Sequence, residues 1–175
     1  MKKLFLFFIT ILLSGHAFSQ SNPVDDLFAK YSEKDGFTSV MFSGRLLNLL
    51  GGAEAREGNP DNILLRLKSI RILSENDSRS TGTVNFYSEL SRKLDMSVYE
   101  ELMVVKEGSD VTKFIIRQNG NKISELLMVS GGRNGNVLIS IRGDFLLKEL
   151  SDLSKTVGIE ELEPLKNVNE QGKKE

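Results

Sequence analysis

The sequence predicts an α+β domain: a single mostly antiparallel sheet with a C-terminal four-strand meander, and helices packed mainly on one face. Three observations carry this expectation. Between Tyr99 and Arg142, four runs rich in β-branched and aromatic residues follow one another at 99–106, 111–118, 122–130 and 137–142, each bounded by Gly, Asn, Asp or Ser. The middle pair is joined by Gln118-Asn119-Gly120-Asn121, and Asn-Gly accepts the positive φ that a two-residue hairpin turn needs. Upstream, amphipathic helical patterns alternate with short apolar runs, an order that belongs to the α+β class.

Taken from the start, residues 1–19 read as an export signal. Lys2 and Lys3 precede the apolar run 4–13, which is short for a membrane span, and Ala17 and Ser19 suit cleavage before Gln20. No cysteine follows that run, so the lipid anchor of bacterial lipoproteins is not expected. Residues 20–159 are expected to form one domain, large enough for a sizeable core. Asn22 and Pro23 open an amphipathic helix carrying Val24, Leu27, Phe28 and Tyr31 at helical spacing, and Gly36 ends it. Residues 37–42 read as a strand. A helix over 43–50 follows, stopped by Gly51 and Gly52, and 51–62 reads as a polar, mobile loop.

A strand is expected near 67–73, with a start that also fits a helical period through Ile63, Leu64 and Leu67. Residues 83–94 form a further amphipathic helix through Phe86, Tyr87, Leu90 and Leu94. After the meander, Asp144 is placed as the cap of a helix with Leu146, Leu150, Leu153 and Val157 on its stripe. Residues 160–175 are polar and charged, and read as a disordered tail.

A plain two-residue turn sets Ile116 opposite Ile123, Phe114 opposite Glu125 and Thr112 opposite Leu127. One face then holds Phe114, Ile116, Ile123, Leu127 and Val129, with Met103 and Val105 from the preceding hairpin. The other holds Lys113, Arg117, Lys122 and Ser124 together with Leu102, Val104, Leu126 and Met128. Helical stripes suffice for the first face. The second is therefore expected to stay wholly or partly open, an apolar patch ringed by Lys113, Arg117 and Lys122 that suits a protein partner or a second copy of the chain.

Composition closes off much chemistry. The full chain has 23 basic and 24 acidic residues, and loss of Lys2 and Lys3 leaves it mildly acidic, the wrong balance for nucleic acid. There is no Cys and no Trp, and the one histidine, His16, lies in the export segment. Disulfides, histidine acid–base chemistry, cysteine nucleophiles and the common zinc sites are thereby excluded from the expected mature chain. The acidic pairs Asp25-Asp26 and Glu100-Glu101, and the run around Glu160, lack the loop spacing of a calcium site. Gly131-Gly132-Arg133-Asn134-Gly135 lacks the Gly-Lys-Ser/Thr ending of a phosphate loop and precedes a strand, so it reads as a hairpin loop. No cofactor or metal is expected. Glu125 is the one carboxylate that falls on a core face. It is a candidate perturbed group, catalytic or ligand-binding, unless a Lys or Arg pairs with it, it sits at the rim, or a bulge turns it outward.

Five short motifs, Phe28-Ala-Lys-Tyr31, Gly36-Phe37-Thr38-Ser39-Val40, Tyr99-Glu-Glu-Leu-Met103, Ser124-Glu-Leu-Leu-Met128 and Ile139-Ser-Ile-Arg-Gly-Asp144, occur in this order along the chain. Together they resemble the domain-of-unknown-function family 4252, exported proteins of Bacteroidetes-type bacteria. The resemblance implies a cell-envelope protein of a Gram-negative bacterium with no established activity. Genes for extracytoplasmic sigma factors often lie near those of the family, which implies envelope signalling. Taken together, a non-catalytic periplasmic or secreted binding and interaction module is expected, untethered from the membrane. A carrier of a hydrophobic small molecule or lipid is the alternative, suggested by the Leu- and Met-rich interior. A hydrolase built on carboxylates alone is the third, and would need two carboxyl groups about 5–9 Å apart across a cleft.

Overall fold

The computed structural model describes residues 22–56, 62–75, 84–133 and 135–150. The expected export segment and polar tail lie outside these residues, as does most of the helix expected after Asp144. Helix α1, Pro23–Tyr31, forms where its signals place it. Asn22 Oδ1 accepts the Val24 N–H at 2.9 Å, Pro23 occupies the first turn, and Val24, Leu27, Phe28 and Tyr31 are buried. Strand β1, Phe37–Ser43, leads directly into α2, Gly44–Arg56.

That second helix runs through Gly51 and Gly52, where a stop was expected. The reason is packing: a Cβ on Gly51 would lie 2.9 Å from Leu64 Cβ. The bare backbone lets α2 seat on the 3-10 turn Ile63–Leu65, and this contact outweighs the roughly 1 kcal/mol that glycine costs a helix interior. Strand β2, Leu67–Glu75, follows that turn, so the mixed helical and strand pattern of this stretch is realised as both. Helix α3 is only Phe86–Ser91. Asn85 Oδ1 caps it by accepting the Ser88 N–H at 2.8 Å, and Asn136 Oδ1 accepts the Phe86 N–H at 2.8 Å, fixing its start to the sheet. Beyond it, the Asp95 side chain accepts the Ser97 N–H at 2.9 Å, a local turn that competes with further helix.

The meander is β3 (Glu100–Glu107), β4 (Asp110–Asn119), β5 (Lys122–Gly132) and β6 (Gly135–Phe145), followed by a 3-10 turn, Leu147–Glu149. Asp144 belongs to β6 and pairs with Lys122 at 3.0 Å instead of capping a helix. The Leu146 N–H is taken by the Glu149 carboxylate at 2.7 Å. The sheet order is β1-β2-β6-β5-β4-β3, antiparallel throughout. Helices cover both faces. Helix α2, the Ile63–Leu65 turn and Leu150 lie over Ile70, Phe114, Ile116, Leu126, Met128, Ile139 and Ile141. On the opposite face, α1 and α3 pack on Leu73, Ile115, Leu127, Val129 and Leu138. Two of the three described helices thus share a face, and the longest covers Leu126 and Met128, expected to be left open, together with Phe114 and Ile116.

The difference comes from one residue. The ladder reads Asn119↔Lys122 and Gln118↔Ile123 next to the turn, but Arg117↔Glu125 beyond it. Ser124 is the extra residue of a β-bulge, and its Oγ donates to Arg117 O at 2.9 Å. From there onward every β5 side chain changes sides relative to the plain register. Phe114 faces Met128 and Ile116 faces Leu126, while Leu127 and Val129 move to the other face.

The tight turn forms one residue later than expected, over Gly120-Asn121 with Asn119 paired to Lys122, and Gly120 alone takes a positive φ there, +66°, with nothing near its absent Cβ. Gly120→Val is expected to cost about 1–3 kcal/mol through backbone strain alone. A shift in urea midpoint corresponding to less than a few tenths would mean that the turn relaxes to another type.

Candidate functional site

The residues expected to form an open interaction face do not form one. Leu126 is 0% and Met128 6% exposed, sealed beneath α2 and its neighbours. Leu102 is half-buried against the same cluster, and Val104 is half-buried on the edge strand β3. The cations separate as well. Lys113 pairs with Glu101 at 2.6 Å, Lys122 with Asp144, and Arg117 reaches Glu125 at 3.2 Å. The bulge moves Leu126 and Met128 of the expected patch into the core, and Leu102 and Val104 stay half-buried on β3.

Glu125 is the centre of a cluster instead. Its side chain is fully buried, yet the bulge aligns Arg117, Glu125 and Arg142 as direct neighbours across β4, β5 and β6. Arg142 Nε donates to Oε1 at 2.6 Å, the Tyr99 hydroxyl donates to Oε2 at 2.7 Å, and Ser140 Oγ donates to Oε1 at 3.3 Å. Arg142 Nη1 also reaches Asp25 of α1 at 3.1 Å. Asp25 is bound in turn by Arg71, whose guanidinium lies 4.3 Å from the centre of the Phe28 ring. One chain of charge therefore runs from β4 through three strands into the first turn of α1.

The electrostatics follow from this geometry. Burial raises the Tyr99 hydroxyl well above its ordinary range, and the Glu125 carboxylate raises it further, so it serves as a donor at every physiological pH. Burial opposes the Arg142 charge, but Glu125 and Asp25 outweigh it and raise its pKa. For Asp25, burial again opposes ionisation, and the bonds and fields of Arg71 and Arg142 prevail, holding the carboxyl below its ordinary 3.8. A depressed carboxylate contributes stability above its unfolded pKa and loses it as pH falls through the folded value. Asp25→Asn should therefore melt below wild type at neutral pH, with the gap closing as pH falls through the acid range. Equal melting curves at pH 7 would show that Asp25 does not hold α1.

Chemically, the cluster is saturated at its centre. Four donors occupy the two oxygens of Glu125, and the Arg142 guanidinium bridges it to Asp25. Arg71 Nε and Arg142 Nη2 are its buried polar atoms without a partner. The sequence singled out Glu125 correctly as a carboxylate on a buried face and named an Arg partner as one resolution. It missed Tyr99 and Asp25, which lie far away in the chain. Among the described residues no three of His, Cys, Asp and Glu gather at metal-binding distance. An apolar pocket between α3 and β4, lined by Tyr87, Leu90, Leu94, Met96, Ile115 and Val129, holds about 60 Å³, far below the volume of a lipid.

What the structure leaves open lies elsewhere. Of nine exposed large apolar side chains among the described residues, six sit on β1, α2 and the turn that α2 packs against: Val40, Met41, Leu46, Leu49, Leu50 and Leu65. Met41 and Leu49 are the most exposed, at 65% and 67%. Leu46, Leu49 and Leu50 recur at helical spacing on the flank of α2 away from Leu47, which is buried. The sequence signal was present as four leucines in one short helix, but only one of them points inward.

A single six-stranded antiparallel sheet with helices on both faces, an Arg-Glu-Arg row centred on the buried Glu125 and an apolar edge define an α+β protein. The chain belongs to the family described as a domain of unknown function, DUF4252, whose model matches residues 31–153. No curated protein and no solved structure matches it.

Proposed function

We propose that this protein is an exported, non-catalytic interaction module of the Gram-negative cell envelope, and that it works through the edge formed by β1 and the outer flank of α2. The observation that carries this reading is the concentration of exposed apolar side chains there, with Val40 and Met41 on the strand and Leu46, Leu49 and Leu50 on the helix that follows it. Contiguous apolar surface is costly in water unless a partner covers it. Export is supported by Lys2 and Lys3, the apolar run 4–13 and the small residues before Gln20. No described helix is long and apolar enough to cross a membrane.

In-cell photo-crosslinking tests the reading. A photoreactive residue at Leu49 should give a discrete adduct in the periplasmic fraction, on a chain beginning at Gln20. The same probe at Glu107, exposed on the far edge, should give none. Equal labelling at both sites, or an uncleaved chain in the membrane fraction, would overturn it.

A further inference from the structure

The two edges of the sheet are not alike. Strand β3 carries Glu100, Glu101, Lys106 and Glu107, charges of the kind that keep an edge from pairing. Strand β1, Phe-Thr-Ser-Val-Met-Phe-Ser, has no charge and no proline, and its residues 38–41 are exposed. The direction of its free backbone groups can be read from one bond. The Phe37 N–H is donated back to Lys34 O at 3.2 Å and so takes no part in the ladder with β2. By the two-residue alternation of a strand, Ser39 and Met41 present their N–H and C=O groups to the outer edge, while Thr38, Val40 and Phe42 turn theirs to β2.

We infer that this edge is filled by the same edge of a second copy, β1 pairing antiparallel with β1 about a two-fold axis through Val40, giving a sheet continuous across the dimer. The inference rests on the reading of β1 and α2 as an interaction surface and names the occupant of its strand. Three features select a second copy. In this register Ser39 of each copy exchanges hydrogen bonds with Met41 of the other, so each outward group meets its complement. Asp35 lies two residues before the strand and Arg45 two residues after it, in the first turn of α2, so antiparallel pairing brings the acidic end of each copy's strand to the basic end of the other's. Both are exposed, and neither makes an ion pair among the described residues. Finally, β1 against β1 closes after two copies, whereas β1 against β3 would continue as a filament. Val40 meets its symmetry mate as a non-hydrogen-bonded pair, the arrangement in which opposed side chains approach closest.

The absence of cysteine from the chain makes the test direct. Wild type should sediment at twice its chain mass. Val40→Cys should form a disulfide-linked dimer under mild oxidation, and Val104→Cys on the opposite edge should not. Met41→Pro removes an outward N–H without touching the β2 ladder, a place where an edge strand tolerates proline. It should give a monomer with an unchanged circular dichroism spectrum. Val40→Lys, which sets two ammonium groups face to face, should do the same without altering the backbone. A monomeric wild type overturns the inference, and if the Leu49 probe then still yields an adduct of another mass, the interaction reading survives it. A dimer that persists in both Met41→Pro and Val40→Lys, or that cross-links through Val104→Cys, overturns it as well.

Discussion

Glu125→Leu is expected to destabilise the fold by about 3–5 kcal/mol, the loss typical of removing one partner from a buried ion pair. The mutation leaves Arg142 Nε and the Tyr99 hydroxyl without their acceptor, in a place where the carboxylate is fully buried, while Arg142 Nη1 keeps Asp25. Arg117 is 42% exposed and can turn to water, so the cost falls mainly on Arg142 and Tyr99. A second change separates charge from packing. In Glu125→Leu/Arg142→Met the cation left with Asp25 alone is gone, Arg71 still holds Asp25, and part of the loss should return, because a buried pair replaced by apolar groups of similar volume is often neutral. Urea denaturation with an unchanged slope measures both. A single-mutant loss below about 1 kcal/mol would show that water or another cation already compensates this carboxylate.

Leu126→Ala should cost about 2–5 kcal/mol, against no more than about 0.5 kcal/mol for Leu49→Ala. Both are leucines of apolar stretches, and the sequence alone puts Leu126 on the sheet face expected to stay open. The structure places it inside: Leu126 sits among Phe114, Ile116, Ile139 and Ile141 under α2, and Leu49 faces outward. Thermal melting of the two variants side by side decides the matter. Equal losses would mean that the Ser124 bulge is absent and the plain hairpin register holds.

That comparison also shows where sequence reasoning ends. The four meander strands, the Asn22 cap, the Pro23 start and a tight turn at Gly120 are all legible, to within one residue for the turn, because each depends on neighbours in the chain. The bulge is not. One hydroxyl bonded to one carbonyl, Ser124 to Arg117, inverts β5, and no local pattern distinguishes that serine from an ordinary strand residue. The helix length at Gly51 fails for a related reason. Its glycine is spent on approach to Leu64 and not on a left-handed stop, a choice made by a residue more than three turns of helix away in sequence. The cluster around Glu125 combines both cases, since its carboxylate was visible and its partners on β4, β6 and α1 were not.

The strand order has a consequence for the time course of folding. From β3 to β6 each strand pairs with its successor, so the meander needs only short loops to close. Strands β1 and β2 join it through a single seam, with Ser74 on Val137 and Leu67 on Gly143, and that seam closes a far longer loop. Chain entropy therefore favours a nucleus in the meander, with the β1–β2 pair arriving last. In stopped-flow chevrons Leu127→Ala should chiefly slow refolding, while Leu73→Ala should chiefly speed unfolding. The opposite pattern would place the nucleus at the seam. If the meander leads, the uncharged edge of β1 is assembled last, and the chain passes most of its folding time before that adhesive strand exists.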